Sequence, residues 1–529
     1  MTSTDRGNSL PHPTGVLAPL SWVLYDFANT IYSMNVVTMY FSLWITVNLA
    51  REDMWVSVSN SLSMALVAVS LPVFGAYSDY RGGRLSFLWH FTLACVVATA
   101  AIGLSGYLLP IGLTQILLSA ALFVVANYAY QGALVFYNAL LPVVAPPERI
   151  GKISGFGVGL GYLGAIVGLM LVMPFVQGEI SFLNLHVGAL QKDWQTVTVL
   201  PSPQRSFLDT TVTANDNYQY RILTGTEGSG EVFAAASKDT VIQRGAEHRR
   251  AVVLTLPELA AGKGPVRLQR RVSGWGRIGS FVPTALLFFL FALPIFLFVR
   301  EPRQKAKRPS PPRLHEAFRD VWESLSNTKK YPGVLRFLIA KFFYEEGIQT
   351  AIIFMAVYAV KVMGFSNEVI IPFFMLTTTA AAVGSTLFGY VTDHLSPKPT
   401  LLLVIGGWLV CLAVIVLVHR QFWFWIIGGL VGVFMGSTWT AARPLLISLV
   451  PGEKLGEFFG LYSLSGKAAA IFGPLVWGGT VALLAPYGDQ IRYRGAVLSL
   501  MVLMAVGFVL LWRVPGRRLA AAAKTQSPK

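Results

Sequence analysis

The chain has 529 residues, of which 54% are hydrophobic and only 13% charged, with a mean hydropathy of +0.57. That balance is too apolar for a soluble protein of this length and defines a polytopic membrane protein. A net charge of +16 raises nucleic-acid binding as a competing class, which the positions of the basic residues exclude.

Hydrophobic runs near the ~20 residues that a spanning helix needs predict helices over Leu17 to Val47, Val56 to Tyr77, Leu85 to Leu108, Thr114 to Leu140, Phe156 to Val176 and Phe281 to Val299. Six more follow: Leu335 to Val360, Val369 to Tyr390, Leu401 to Val418, Phe422 to Val450, Phe458 to Leu484 and Val497 to Trp512. Arg81 and Arg84 lie after helix 2, Arg149 and Lys152 after helix 4, Lys398 after helix 8, and Arg513, Arg517 and Arg518 after helix 12. Arg300 to Lys330 separate helices 6 and 7. Lys and Arg accumulate in cytoplasmic loops, so the basicity is orientation. Both termini are expected in the cytoplasm, in a plasma membrane of the bacterial inner-membrane type. No basic segment leads into a short apolar stretch at the N-terminus, so no cleaved signal peptide is expected. Cys95 and Cys411 fall inside predicted spans, which leaves no disulfide framework and no metal site to expect.

Helix 1 carries Tyr25-Asp26-Phe27-Ala28-Asn29-Thr30, a carboxylate at a depth where ionisable residues mark polar pathways. Spacings of three, four and seven place Tyr25, Asp26, Asn29, Tyr32 and Ser33 in one stripe facing the bundle interior. Asp26 is then either fixed in a structural hydrogen-bond network or part of a transport path. Helix 2 ends in Gly75-Ala76-Tyr77-Ser78-Asp79, and Asp79-Tyr80-Arg81-Gly82-Gly83-Arg84 forms a tight turn. Asp79 is placed to accept from the positive N-terminus of a neighbouring helix, helix 11 near Phe458, or else lies in a solvated turn. Gly75, Asp79, Arg81 and Arg84 are gate candidates on this basis. On helix 4, Asn127, Gln131 and Asn138 share a face suited either to a hydrogen-bonding cavity wall or to interhelical contacts. Gly155, Gly157, Gly161, Gly164 and Gly168 of helix 5 have the small-residue spacing of close helix contact and form no phosphate loop.

Between helices 5 and 6, Gly178 to Gly276 is long and polar. β-prone stretches at Trp194 to Leu200, Tyr218 to Leu223, Ala251 to Leu256 and Val266 to Val272 alternate with turn-rich segments such as Thr226-Glu227-Gly228-Ser229-Gly230. This predicts a small extracytoplasmic β module with room for an extracytoplasmic partner. The Pro- and Arg-rich stretch 300–333 reads as a cytoplasmic linker, with an amphipathic helix expected along Leu314 to Leu325.

Helix 7 carries Tyr344-Glu345-Glu346-Gly347-Ile348-Gln349-Thr350. Lys341 and Glu345, four apart, are expected to neutralise each other and leave Glu346 and Gln349 to turn inward. Helix 8 ends in Gly389-Tyr390-Val391-Thr392-Asp393, which adds Gly389 and Asp393 to the gate candidates. Helix 10 carries Trp439 and Arg443, and Arg443 either binds an anionic group of the substrate or pairs with a gate carboxylate.

Three pairs of segments match in order at offsets of roughly 305 to 320 residues: Asp26 with Glu346, Asp79 with Asp393, and Pro146-Pro147-Glu148-Arg149-Ile150-Gly151 with Pro451-Gly452-Glu453-Lys454-Leu455-Gly456. The first alignment also places Asn29 on Gln349 and Thr30 on Thr350. Such order is the mark of parallel repeats. The expected architecture is an all-α polytopic membrane protein with twelve transmembrane helices in two six-helix repeats and a β-rich insert. Its segments are an N-terminal half over 1–177, the insert over 178–276, helix 6 over 277–299, the linker over 300–333, a C-terminal half over 334–513 and a tail over 514–529.

Gly75-Ala76-Tyr77-Ser78-Asp79-Tyr80-Arg81-Gly82-Gly83-Arg84 resembles the loop 2-3 signature of the major facilitator superfamily, G-x-x-x-D-R-x-G-R-[RK], with Tyr80 and Arg81 departing from its order. Trp22-Val23-Leu24-Tyr25-Asp26-Phe27-Ala28-Asn29, Phe136-Tyr137-Asn138-Ala139, Phe343 to Thr350 and Glu457-Phe458-Phe459-Gly460 resemble, more narrowly, the branch of autophagy-related vacuolar amino-acid effluxers and their bacterial relatives. Glu346 stands where that branch often has Asp, which preserves the charge. The resemblance covers both membrane halves and not the insert. It implies secondary transport by alternating access, with proton-linked export of amino acids or similar metabolites and no cofactor. The residues themselves imply a polar or zwitterionic solute. Two alternatives stand beside this reading: a lipid or amphiphile transporter assisted by the module, and a non-transporting sensor or scaffold.

Overall fold

The structure, a computed structural model, describes residues 16–516 less 46–48, 50–53, 302–330 apart from 319, isolated positions, and the loops between strands of the insert. The expected helix along Leu314 to Leu325, the turn at Thr226 to Gly230, and Arg517 and Arg518 lie outside the described residues, as does the side chain of Arg81.

Long helices follow the apolar runs. They are α1 (Leu17–Tyr32), α2 (Met54–Arg81), α3 (Arg84–Leu108), α4 (Leu113–Ala139), α5 (Ile150–Gln177), α6 (Phe281–Phe298), α7 (Val334–Lys361), α8 (Asn367–Leu395), α9 (Pro397–Leu417), α10 (Gln421–Leu449), α11 (Leu455–Leu483) and α12 (Gly488–Trp512). Among the described residues nine of these are long and apolar enough to cross a bilayer. The others are α1, α7 and α11. Regular α-helix in α1 gives way to a π-helical stretch at Ser33–Tyr40, and α7 carries Lys341, Glu345 and Glu346 in its length. The described apolar stretch of α11 is confined to Phe472–Leu483. α12 begins at Gly488 rather than at Val497, because its first turns are polar. Arg492 there pairs with Asp489, and Arg494 donates to the Val418 carbonyl at 3.1 Å.

The halves α1–α6 and α7–α12 meet where α2 packs along α11 and α5 along α8. Under the repeat α2 corresponds to α8 and α5 to α11, so the two junctions are copies of one arrangement. Within the first half α1 lies against α5 and α6, and the helix 5 glycines allow the approach. A Cβ on Gly161 would lie 3.0 Å from Thr30 Oγ1, and one on Gly168 2.9 Å from Ile31.

The insert is a set of antiparallel strands. β1 (Glu179–Phe182) pairs with β2 (Leu185–Gly188); β3 (Gln195–Leu200), β9 (Val266–Val272), β5 (Tyr218–Thr224) and β6 (Val232–Ala234) form one sheet; β4 (Ser206–Asp209), β8 (Glu247–Thr255) and β7 (Ala236–Arg244) form another. Leu200, Tyr220, Ile222 and Leu268 from the first sheet and Val252 and Leu254 from the second make a common core. Arg270 Nη1 meets Asp209 Oδ2 at 2.7 Å, and the Tyr220 hydroxyl donates to the same oxygen at 3.0 Å. Burial pushes the Asp209 carboxyl up, but hydrogen bonds from Thr211 and the charge of Arg270 outweigh it and hold the carboxyl below its usual range. The two ends of the insert are zipped together, since Trp275 N donates to the Phe175 carbonyl at 2.7 Å.

Candidate functional site

Two groups of charged residues stand out, one at the end of the bundle and one within it. At the end, the Asp79 carboxylate accepts from Gly456 N at 3.0 Å and Glu457 N at 2.8 Å, in the first turn of α11. Four orphan N–H groups and the positive dipole end of a helix favour a carboxylate there. Arg84, itself buried, donates to Asp79 Oδ1 at 2.6 Å and to the Gly452 carbonyl at 2.5 Å, clamping the cap to both halves. The other junction repeats the device. Asp393 accepts from Gly151 N at 2.7 Å and Lys152 N at 2.8 Å, in the first turn of α5. Glycine is needed because backbones touch: a Cβ on Gly389 would lie 2.8 Å from the Gly151 carbonyl, and one on Gly456 2.7 Å from that of Gly75.

Within the bundle, Arg443 of α10 pairs across the halves with Asp26 of α1, Nη1 to Oδ2 at 3.3 Å, each side chain only 11% exposed. The guanidinium lies 5.8 Å from the ring centroids of both Trp22 and Tyr137. Those rings stack at 4.3 Å, and Trp22 Nε1 donates to the Tyr137 carbonyl at 2.9 Å, which fixes the aromatic wall. Gly157 of α5 packs against both Trp22 and Asp26, since a Cβ there would lie 2.7 Å from the Trp22 ring and 3.2 Å from Asp26 Oδ2. One turn before Arg443, Trp439 Nε1 donates to Glu345 Oε1 at 3.4 Å. Glu345 pairs with Lys341, whose ammonium sits 4.1 Å from the Tyr462 ring centroid.

Glu346 differs from both pairs. It is 1% exposed and faces the backbone at Gly473 of α11, and neither carboxylate oxygen makes a hydrogen bond of ordinary geometry. The Asn29 amide and the hydroxyls of Thr350 and Tyr462 are also buried without a hydrogen-bond partner of ordinary geometry among the described residues. An unsatisfied buried polar group costs about 1–3 kcal/mol.

The sequence stripe on helix 1 divides. Tyr25 bonds Thr92 at 2.6 Å and Tyr32 packs on Tyr130 and Phe288, so both face the core of their own half. The reason is angular: residues seven apart realign, and Asp26 lies about 100° from Tyr25. Asn127 donates to Asn60 and Ser63 of α2 at 3.1 and 2.7 Å, an interhelical contact rather than a cavity wall. Gln131 is buried, while Gln349, Trp439 and Asn138 are half-buried, the last with its Oδ1 unpartnered. Tyr137 lies beside the helix 4 face of Asn127, Gln131 and Asn138, whereas Trp22 and Tyr462 are not among the residues that the sequence offers for the site. Trp22, four residues before Asp26, was recoverable from helical spacing; Tyr462 lies in an apolar run that gives no signal.

Several known proteins are similar to this chain. The profile of the family described as vacuole effluxer Atg22 like matches residues 274–524. An uncharacterized MFS-type transporter of Bacillus subtilis, YxiO, is 25% identical over 94% of each chain. Autophagy-related protein 22 of Coccidioides immitis is 21% identical over 89% of this chain and 73% of its own. A bacterial homologue of the iron transporter ferroportin, solved in an outward-facing state, superposes with a TM-score of 0.59 at 11% identity, over 94% of this chain and 98% of its own. The chain has the fold of major facilitator superfamily transporters and is similar in sequence to an MFS-type transporter. Within that superfamily it resembles the Atg22 effluxers.

Proposed function

We propose that the protein exports a small polar or zwitterionic solute, an amino acid or similar metabolite, by proton-linked alternating access. In this reading all of α1–α12 span a plasma membrane, both termini and the Asp79 and Asp393 caps are cytoplasmic, and the insert is extracytoplasmic. The observation that carries it is the cross-half Asp26–Arg443 pair, together with Glu346, a second buried carboxylate, on α7. A zwitterion offers a carboxylate to Arg443 and an ammonium to Asp26, so it replaces the salt bridge instead of stranding its charges. Glu346 serves as the proton carrier, and the capped helix ends hold the cytoplasmic side shut. An amphiphilic solute is a second reading. It is favoured by an apolar cavity of about 150 Å³ lined by Ala351, Met355, Phe373, Trp408, Phe424 and Met435.

Efflux from proteoliposomes loaded with labelled amino acids, with and without a pH gradient, tests this. The Glu346→Gln protein is expected to lose its response to the gradient while still exchanging solute. An unchanged response removes Glu346 from coupling, and absence of flux in the unsubstituted protein for every solute class overturns the transport assignment.

A further inference from the structure

At the end of the bundle that carries Asp79 and Asp393, the start of α7 and the end of α12 frame an open groove of about 660 Å³. Its wall combines two chemistries. Arg336 and Arg513 supply the charge, and Leu335, Ile339, Leu510 and Pro515 supply an apolar side. Both arginines are exposed, and Ile339 is 42% exposed on the helix face that continues toward the bilayer. Arg336 Nη1 donates to the Arg513 carbonyl at 2.7 Å, which holds the two residues side by side. Neither guanidinium has a carboxylate partner among the described residues, and none of the residues lining the groove is acidic. Lys398 adds a third cation nearby, its Nζ on the Trp512 carbonyl at 2.8 Å. Gly333, with φ of +91°, turns the chain so that the first turn of α7 also points its positive dipole end here.

We propose that this groove binds the headgroup of an anionic phospholipid, its phosphate between Arg336 and Arg513 and its acyl chains along Ile339 and Leu510. Basic pockets between helices at a membrane boundary recognise lipid phosphates, and the apolar wall separates a lipid from a soluble anion. The neighbouring linker does not suit the groove, because residues 301–330 carry eight Lys or Arg against four Asp or Glu and repel the same arginines.

Native mass spectrometry of the full-length protein, titrated with phosphatidylglycerol or phosphatidylcholine, tests the assignment. Phosphatidylglycerol is expected to be retained preferentially, and Arg336→Gln or Arg513→Gln to weaken its binding about fivefold each, with the double variant weaker than either. Arg513→Gln removes no side-chain hydrogen bond or ion pair among the described residues, and melting temperature in phosphatidylcholine nanodiscs checks that each variant is folded. Equal retention of the two lipids, or undiminished phosphatidylglycerol binding by the folded double variant, overturns the proposal. Displacement of the lipid by inorganic phosphate at modest concentration overturns it also, in favour of a soluble anion. Binding is read without transport, so this outcome is independent of the efflux assay.

Discussion

The carboxylates at the end of the bundle and those in its middle are the same side chains in opposite circumstances. Asp79 and Asp393 each receive two backbone N–H groups from a helix of the other half. Asp26 meets Arg443 at 3.3 Å, and neither Glu346 oxygen makes a hydrogen bond of ordinary geometry to a described residue. A saturated carboxylate is a lock, stable in one arrangement; an unsaturated one is stable only with something further to bind. Comparing the two locks is also informative. Asp79 is shared with a buried arginine, whereas the position matching Arg84 under the repeat is Lys398, whose amine is turned to the end of α12.

That asymmetry predicts unequal damage. Asp79→Ala strands the Arg84 guanidinium and is expected to destabilise the closed arrangement by about 3–5 kcal/mol, read as increased labelling of cysteines introduced at the α2–α11 junction. Gly456→Ala attacks the same lock through shape, since its Cβ would lie 2.7 Å from the Gly75 carbonyl and 2.8 Å from Asp79 Oδ1; about 1–3 kcal/mol is expected. Asp393→Asn loses only a cap and should cost about 0.5–2 kcal/mol, so equal effects at Asp79 and Asp393 would break the comparison. The smallest effect is in the insert. The folded-state pKa of Asp209 is lowered, so its contribution is present above the unfolded carboxyl pKa and is lost as pH falls through the folded one. Acid unfolding of the insert, followed by hydrogen exchange in β4 and β9, should therefore begin at higher pH in Asp209→Asn than in the parent. Coincident acid profiles would remove the tie from the insert's stability.

Much of this was legible in the sequence, for identifiable reasons. Apolar runs set the helices, because a bilayer leaves the backbone no other way to satisfy its hydrogen bonds, and Asp79 was placed against the start of α11 from the dipole argument alone. Val266 to Val272 reads as a strand and is one; β7, ASKDTVIQR, is a strand without an apolar run, held by its hairpin partner β8. The start of α12 was missed because its polar first turns interrupt hydrophobicity without interrupting the helix. The Asp26–Arg443 pair was not legible: both residues were candidates, but nothing in one dimension says which of several buried cations and anions meet across the two halves.

On the proposed function, the middle of the bundle receives a solute carrying both charges. The most direct measurement is solute-dependent thermal stability of the purified protein, comparing zwitterionic, anionic and cationic metabolites on the parent and on the double variant Asp26→Asn, Arg443→Gln. The double variant removes both partners together, so neither charge is left stranded to lower stability by itself. The account predicts that zwitterions raise the melting temperature of the parent and not of the double variant. Equal stabilisation of the two proteins, or stabilisation of the parent by solutes of a single charge alone, would contradict it.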